Sequence, residues 1–320
     1  MQNGKPIRRM TFDLDLGTAR SIVAALDGSL RPQAVRRLHG GSTEVYRIDL
    51  ARGADPIVVK IYRDEPQWAP AKEALVAGWL AEGVDLPTPR WLRLDESRRL
   101  LPHRYALTTW LAGQPVRAMM AEPGVVGLYR QMGAWLKRLH GLPMPAYGYV
   151  LADGVASPQV TNADYMDEAF EDAFRQFAAH GGDAALARRL ERALRPRLPL
   201  AAASAGPVFA HDDFQPGNLL AARDASGALA LTGLVDFGNA RAADPLFDLA
   251  KALFCCTHED PRIQAPLLAG YGAIDHPDPQ GALWLHTLYH RLIMWSWLTR
   301  QGDGHGGRPG LLRDLEASVG

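Results

Sequence analysis

Three carboxylates and the side-chain amide of an asparagine lie close together in two short stretches of this chain. Phe209-Ala-His-Asp-Asp-Phe-Gln-Pro-Gly-Asn-Leu-Leu220 carries Asp212, Asp213 and Asn218, and Leu234-Val-Asp-Phe-Gly238 brings Asp236 after a short hairpin. Oxygen donors of this kind suit a hard divalent cation such as Mg2+. A positioned carboxylate also suits removal of a proton from a hydroxyl. Phosphoryl transfer needs both, because there the protein supplies position and charge more than covalent chemistry. Asp213 and Asn218 are separated by a loop closed with Pro216-Gly217, so a base and a metal-binding amide can face one cavity. Asp236, ending an apolar strand, can supply a second metal ligand. The plain alternative is a turn whose polar side chains only satisfy backbone groups.

Cations for the phosphates would have to come from elsewhere, and the first third of the chain offers one. Ile57-Val-Val-Lys-Ile-Tyr62 sets Lys60 inside an apolar strand, where an ammonium needs a carboxylate or phosphate partner. Glu73, on the helix that follows, is the natural one; the alternative is a lysine snorkelling from an edge strand. Leu38-His-Gly-Gly-Ser-Thr-Glu-Val-Tyr46 joins two strands and can turn backbone N–H groups of Gly40, Gly41, Ser42 and Thr43 toward a phosphate. Two glycines between strands also make an ordinary hairpin, so this loop gains meaning only beside Lys60.

The elements that must hold these residues are legible as two halves. Strand patterns cover 34–39, 44–50, 56–62, 90–95 and 105–109, interrupted by one helix at 68–81 with Gly83 as its C-terminal cap. After Gly113-Gln-Pro the periodicity becomes helical: 125–142, 164–179, 184–194, 245–256, 262–270 and 280–299, with strands at 218–222 and 229–236. Residues 302–310 read as a loop before a short final helix. The fold class is α+β, a small antiparallel-sheet lobe (1–109), a linker (110–115) and a larger helical lobe (116–320). Hydrophobic residues at 47% with 22% charged describe a globular chain. Lys plus Arg (35) equal Asp plus Glu (35), which leaves no global field for nucleic acid or anionic lipid. No run is long and apolar enough for a membrane span, and no leader-like segment opens the chain, so a cytoplasmic location is expected. Adjacent Cys255 and Cys256 read as reduced, buried thiols.

His211-x-Asp213-x-x-x-x-Asn218 with Asp236-Phe237-Gly238, continued by Asp244-Pro-Leu-Phe-Asp-Leu-Ala250, resembles the aminoglycoside phosphotransferase and choline kinase family from about Gly40 to Ala250. The resemblance implies a bilobal protein-kinase-like fold and transfer of the γ-phosphate of ATP or GTP to a small hydroxylated acceptor. It implies Asp213 as base, Asn218 and Asp236 as Mg2+ ligands, and His211 and Asp248 as supports of the catalytic loop. Lys60 with Glu73 would position the phosphates, and Ala106–Gly113, including Thr109 and Leu111, would meet the purine. The family commonly has Gly where this chain has Asp212. Spacing to Asn218 assigns the base to Asp213 and leaves Asp212 as a substrate contact or a solvated neighbour.

The acceptor is the least legible part. Asp164, Asp167, Glu168 and Glu171 could face a cationic acceptor, yet at helical spacing they read first as the solvated side of an amphipathic helix. Glu259 and Asp260 form a second acidic candidate. An aminoglycoside or another antibiotic is the leading acceptor; a choline, homoserine or ketosamine type of metabolite is the runner-up. A non-catalytic nucleotide-binding regulator is the reading from another class. A peptide kinase fits poorly, because Asp236-Phe-Gly runs directly into Asn239-Ala-Arg-Ala-Ala-Asp-Pro without room for an activation loop. Gly302-Asp-Gly-His-Gly-Gly307 lacks the strand–turn–helix setting of dinucleotide binding, and His286 with His290 lacks a third zinc ligand. The expected assembly is a monomer or homodimer.

Overall fold

Alternation of apolar residues builds the first sheet. In β2 (Glu44–Leu50) Tyr46, Ile48 and Leu50 are buried, and in β3 (Ile57–Tyr62) Ile57, Val59 and Ile61 join them. Residues between them, Val58 and Lys60 among them, point to the opposite face. The computed structural model describes residues 12–38, 43–257, 261–301 and 307–319. Among them β1 (Pro32–Leu38), β2, β3, β4 (Trp91–Asp95) and β5 (Arg104–Thr109) form one antiparallel sheet in the order β1-β2-β3-β5-β4. Register puts Lys60 opposite Val45 on one side and Ala106 on the other.

A helix absent from the sequence reading, α1 (Leu16–Leu26), covers the sheet's apolar face. Asp15 caps it by accepting from the Thr18 amide at 2.9 Å, and Ala19, Ile22 and Val23 bury its inner face. The helix after β3, α2 (Ala69–Gly83), runs two residues beyond the expected end and through Gly83; its C-cap is Val84. Its Val76 and Leu80 pack into the core of the helical half, so α2 is seated on one half while facing the other.

That core is built on α3 (Val125–Leu139), with Leu128, Met132, Leu136 and Leu139 buried as an apolar stripe. Short β6 (Gln114–Pro115) pairs with β10 (Leu219–Arg223), which pairs with β11 (Leu229–Leu234). A further sheet, unread in the sequence, has the order β8-β7-β12-β9, from β7 (Tyr147–Leu151), β8 (Gly154–Gln159), β9 (Val208–Ala210) and β12 (Arg241–Ala243). The remaining helices are α4 (Asn162–Ala179), α5 (Ala184–Leu194), α6 (Pro245–Thr257), α7 (Pro261–Tyr271), α8 (Pro279–Gln301) and α9 (Arg308–Ala317). Helix α9 begins inside the stretch expected to be loop. Helices α4, α5, α8 and α9 share an apolar core with Phe247 of α6. No described helix is long and apolar enough to cross a membrane.

Helices α3 and α7 touch backbone to backbone. A Cβ placed on Gly270 would lie 1.8 Å from the carbonyl oxygen of Arg130, and one on Gly133 would lie 2.0 Å from that of Leu267. Neither neighbour is a flexible tip that could turn aside, so only glycine fits at either position. Gly270→Ala should lower unfolding stability by about 3 kcal/mol, read from urea denaturation; an unchanged midpoint would mean that the helices separate freely.

Candidate active site

The Lys60 ammonium donates to its expected partner and to a second one. Its Nζ donates to both Glu73 carboxylate oxygens, at 2.8 and 2.7 Å, and reaches Asp236 Oδ1 at 3.3 Å. Burial works against the Lys60 charge, but Asp236 and Glu73 overcome it and hold the ammonium well above an ordinary lysine. Lys60 in turn holds the Asp236 carboxyl below the usual range. Strand β3, helix α2 and the turn after β11 therefore converge on one cation.

Asp236 does not end a strand. Strand β11 stops at Leu234, and Asp236 takes a left-handed backbone conformation, φ 68°. Aspartate tolerates this better than most residues, at a cost of about 1 kcal/mol or more. The turn lifts its side chain out of the strand, leaving it 48% exposed.

The loop from His211 to Asn218 is fixed largely by its own backbone. Asp248 on α6 is fully buried and accepts from the amides of His211 at 2.7 Å and Asp212 at 2.9 Å. His140, the C-cap of α3, lies against the same carboxylate at 3.3 Å and takes a 2.8 Å bond from the Tyr271 hydroxyl. The His211 ring accepts from the Asp213 amide at Nδ1, 3.3 Å, which leaves Nε2–H to donate to the Val235 carbonyl, 3.2 Å. The Val235 amide donates to the Asn218 carbonyl at 2.9 Å. These two bonds tie the 211–218 loop to the segment that carries Asp236.

Within that frame Asp213 is surrounded by donors. Asn218 Nδ2 donates to its Oδ2 at 2.7 Å and to its carbonyl at 2.9 Å, and Gln215 Nε2 lies 3.1 Å from both carboxylate oxygens. Burial raises the Asp213 pKa, and His211, Lys251, Gln215 and Asn218 only partly offset it. Such a carboxylate is a better proton acceptor than a solvated aspartate. Asn218 turns its Nδ2 to Asp213, which leaves its Oδ1 for a cation.

Asp212 corrects the sequence reading. It is neither solvated nor set toward an acceptor: the residue is 6% exposed, ion-paired to Arg241 of β12, and 3.6 Å from Lys251 Nζ of α6. Burial disfavours its charge, and Arg241 followed by Lys251 reverses this and keeps the carboxyl below the usual range. Its φ of 52° is the conformation that glycine adopts without strain.

Other expected residues are distributed as follows. Thr109 donates its amide to the Arg90 carbonyl and accepts from the Arg90 amide at its hydroxyl, both at 3.0 Å, so that donor is not open to a nucleotide. Leu111 packs against Gly233, where a Cβ would meet its Cδ1 at 2.8 Å. Thr43 is half-buried just before β2; Gly40, Gly41, Ser42, Glu259 and Asp260 lie outside the described residues. Asp164, Asp167, Glu168 and Glu171 are exposed on α4; Asp164 accepts from Thr161, 2.6 Å, and Glu168 from Gln159, 2.9 Å. Among the described residues no hydrogen bond or ion pair joins them to Asp213, and they form the solvated face of their helix. His290 gives its Nε2 to the Phe247 carbonyl at 2.8 Å, a packing role. Cys255 is a free thiol, half-buried where full burial was expected.

Sequence reasoning missed the charges behind the loop, Lys72, Arg241 and Lys251, and the loop's companions Arg117 and Gln215. Lys72 is fully buried with no hydrogen-bond partner at Nζ. Its ammonium rests 3.6 Å from the Tyr149 ring centroid, and burial brings its pKa down to about 7.

The family model described as the phosphotransferase enzyme family, APH, matches residues 34–285. The chain therefore belongs to that family and is a small-molecule phosphotransferase by descent. An aminoglycoside 3'-phosphotransferase of Escherichia coli is 25% identical over 254 residues, covering 78% of this chain and 86% of that protein. Among solved structures, the aminoglycoside phosphotransferase APH(4)-Ia superposes with a TM-score of 0.71 at 16% identity, over 95% of this chain and 98% of its own. APH(2'')-IIia, solved with GDP and kanamycin, gives 0.64 at 17% identity over 95% and 98%. These likenesses establish the α+β kinase-like fold.

Two substitutions test the buried charges. The Asp248 pKa is lowered because His140 and the His211 amide outweigh burial. Its contribution to stability is therefore complete above the ordinary value of 3.8 and is lost as pH falls through the lower folded value. Asp248→Asn should cost about 3 kcal/mol in urea unfolding at neutral pH, with the gap to wild type closing as pH drops below 3.8. Lys72 gives a slope of the same sign in another window, because a lysine whose folded pKa is lowered also makes stability rise with pH, here between about 7 and 10.5, but its buried charge costs stability at neutral pH where that of Asp248 adds to it. Lys72→Met should be more stable than wild type by on the order of 2 kcal/mol at neutral pH and should lose that slope; a less stable variant would show that the ammonium has a partner.

Proposed function

We propose that this chain transfers the γ-phosphate of ATP or GTP to a hydroxyl of a small molecule, with Asp213 as base. The observation that carries the reading is the convergence on one locus. Lys60 is bonded to Glu73 and Asp236, and the Asp236 segment is bonded through Val235 to the loop holding Asp213 and Asn218. Residues 110–115 then act as the linker between a nucleotide-binding sheet lobe and a helical lobe.

In this reading Lys60, kept charged and oriented by Glu73, meets the nucleotide phosphates. Asn218 Oδ1 and the exposed Asp236 carboxylate are two hard oxygen donors, which fits Mg2+, an ion usually held by one or two protein ligands together with phosphates and water. Mg2+ bound there would neutralise charge on the phosphate oxygens. Asp213 takes the proton of the attacking hydroxyl, its carboxylate aimed by Asn218 and Gln215. His211 and Asp248 fix the backbone of that loop and touch no reacting atom.

For the acceptor we favour an aminoglycoside or another antibiotic. The Escherichia coli relative is an aminoglycoside 3'-phosphotransferase, and solved neighbours carry hygromycin B with ADP, or kanamycin with GDP. The test is phosphate incorporation from ATP and from GTP over a panel of aminoglycosides, nucleoside antibiotics and amino alcohols. At least one antibiotic should be phosphorylated, and Asp213→Ala should reduce the rate on the order of 10³-fold. Phosphorylation confined to amino alcohols would overturn the acceptor, and an Asp213→Ala enzyme as fast as wild type would overturn the base.

A further inference from the structure

Gln215 is the residue that touches both oxygens of the Asp213 carboxylate, and it is itself held from behind. Its Oε1 accepts from Nη2 of Arg117, an exposed residue of the short 3-10 helix at Val116–Met119, just after β6. An arginine can only donate, so this contact fixes which end of the amide faces which way: oxygen to Arg117, NH2 to Asp213. The same residue engages the loop twice more. The Arg117 amide donates to the Pro216 carbonyl at 2.9 Å. The guanidinium also lies face-on against Gly217, where a Cβ would stand 3.3 Å from both Cζ and Nη2. Gly217 thus gives the guanidinium its seat, and Val116, fully buried, anchors the short helix beneath it.

We propose that Arg117 and Gln215 act as one clamp that positions the Asp213 carboxylate for proton removal, Arg117 working only through the Gln215 amide. A free glutamine side chain has three rotatable bonds and samples many rotamers; a glutamine bonded at both ends has one. The cation at Oε1 also polarises the amide and strengthens the bonds its NH2 makes to the carboxylate. The carboxylate plane is then set by Gln215 across both oxygens and by Asn218 on Oδ2. Arg117 stands one residue beyond Val116, which follows β6, and β6 is paired to β10, so the clamp is mounted on the segment that leaves the sheet half.

The inference rests on Asp213 as base, and its test separates the two. Arg117→Met and Gln215→Met should each lower kcat by about 10- to 100-fold, the scale of a misplaced catalytic group, while the nucleotide KM stays within about twofold. The double variant should be no slower than the slower single one, because both changes break the same unit. Arg117→Lys, which still offers a donor to Oε1, should recover most of the loss. The clamp also has a signature that needs no turnover. In 15N NMR of the full chain the Gln215 side-chain NH2, identified by its disappearance in Gln215→Met, should be displaced from free glutamine amides and return to them in Arg117→Met. Unchanged kcat in both single variants, additive losses, or a Gln215 signal indifferent to Arg117→Met would each overturn the clamp. Additive losses would mean that Arg117 contacts the phosphates on its own account. If Asp213→Ala kept full activity while the NH2 signal still followed Arg117, the base assignment would fall and the clamp would survive as a structural tie.

Discussion

One buried carboxylate organises the chemistry. Asp248 is held at zero exposure by donors alone: two successive backbone amides, from His211 and Asp212, and the His140 ring. A buried carboxylate with too few donors would take up a proton or unfold its surroundings, so those amides must point inward at this one place. That requirement dictates the path of the chain on either side. With the two amides turned toward α6, His211 packs at a tilt against Phe237, 4.9 Å between ring centroids, and reaches the Val235 carbonyl, and Asp213 emerges on the other side among side-chain donors. The residue that sets the site therefore stands one shell behind it, on a helix 35 positions later than Asp213 in sequence.

The same turn explains the aspartate that departs from the family's usual glycine. Presenting two consecutive amides to Asp248 puts Asp212 at φ 52°, where a glycine would be free of strain and an aspartate costs about 1 kcal/mol or more. What offsets the cost is visible in the surroundings. Arg241 and Lys251 are both nearly buried, at 15% and 13% side-chain exposure, and Asp212 is the carboxylate within ion-pair reach of both. Removing the carboxylate would leave two cations without their anion, a much larger penalty than the backbone strain. Asp212, Arg241 and Lys251 thus form an interdependent set in which none can be exchanged alone. Tyr149 extends the set, with its ring between Lys72 and Arg241 and its hydroxyl donating to the Gly238 carbonyl at 3.3 Å. Through it the helix that bears Glu73 is coupled to the segment that bears Asp236.

What the sequence made legible follows from how each signal arises. The β2 and β3 strands, the α3 stripe and the Lys60–Glu73 pair were readable because each depends on local periodicity or on an isolated charge in an apolar run. The loop carrying Asp213 and Asn218 was readable because the residues that bond one another are close in sequence. Helix α1 is also legible in principle, from Asp15 and Thr18 as a cap followed by Leu16, Ala19, Ile22, Val23 and Leu26. The β7–β8 hairpin, β9 and β12 are short and paired to distant partners, so no local pattern announces them. Asp212 was misjudged for the same reason. Whether an aspartate in a loop is solvated or paired depends on Arg241 and Lys251, which sequence separates from it by about the length of a small motif and only tertiary packing returns.

The two left-handed aspartates, Asp212 and Asp236, are best understood as a pair of opposite cases. Both occupy backbone conformations that strain any residue with a side chain, and both meet cations, yet one faces inward and the other outward. For Asp212 the turn drives the carboxylate into the protein, where Arg241 and Lys251 neutralise its charge. For Asp236 the turn frees the carboxylate from β11 and leaves it half exposed beside Lys60. Strain that ends in a buried ion pair is accounted for by that pair, whereas strain that ends in a half-exposed carboxylate beside a charged lysine points to a ligand. That asymmetry, read from backbone angle, exposure and partner, separates the aspartate that supports the loop from the one that the proposed reaction calls on, although the two look alike in the sequence.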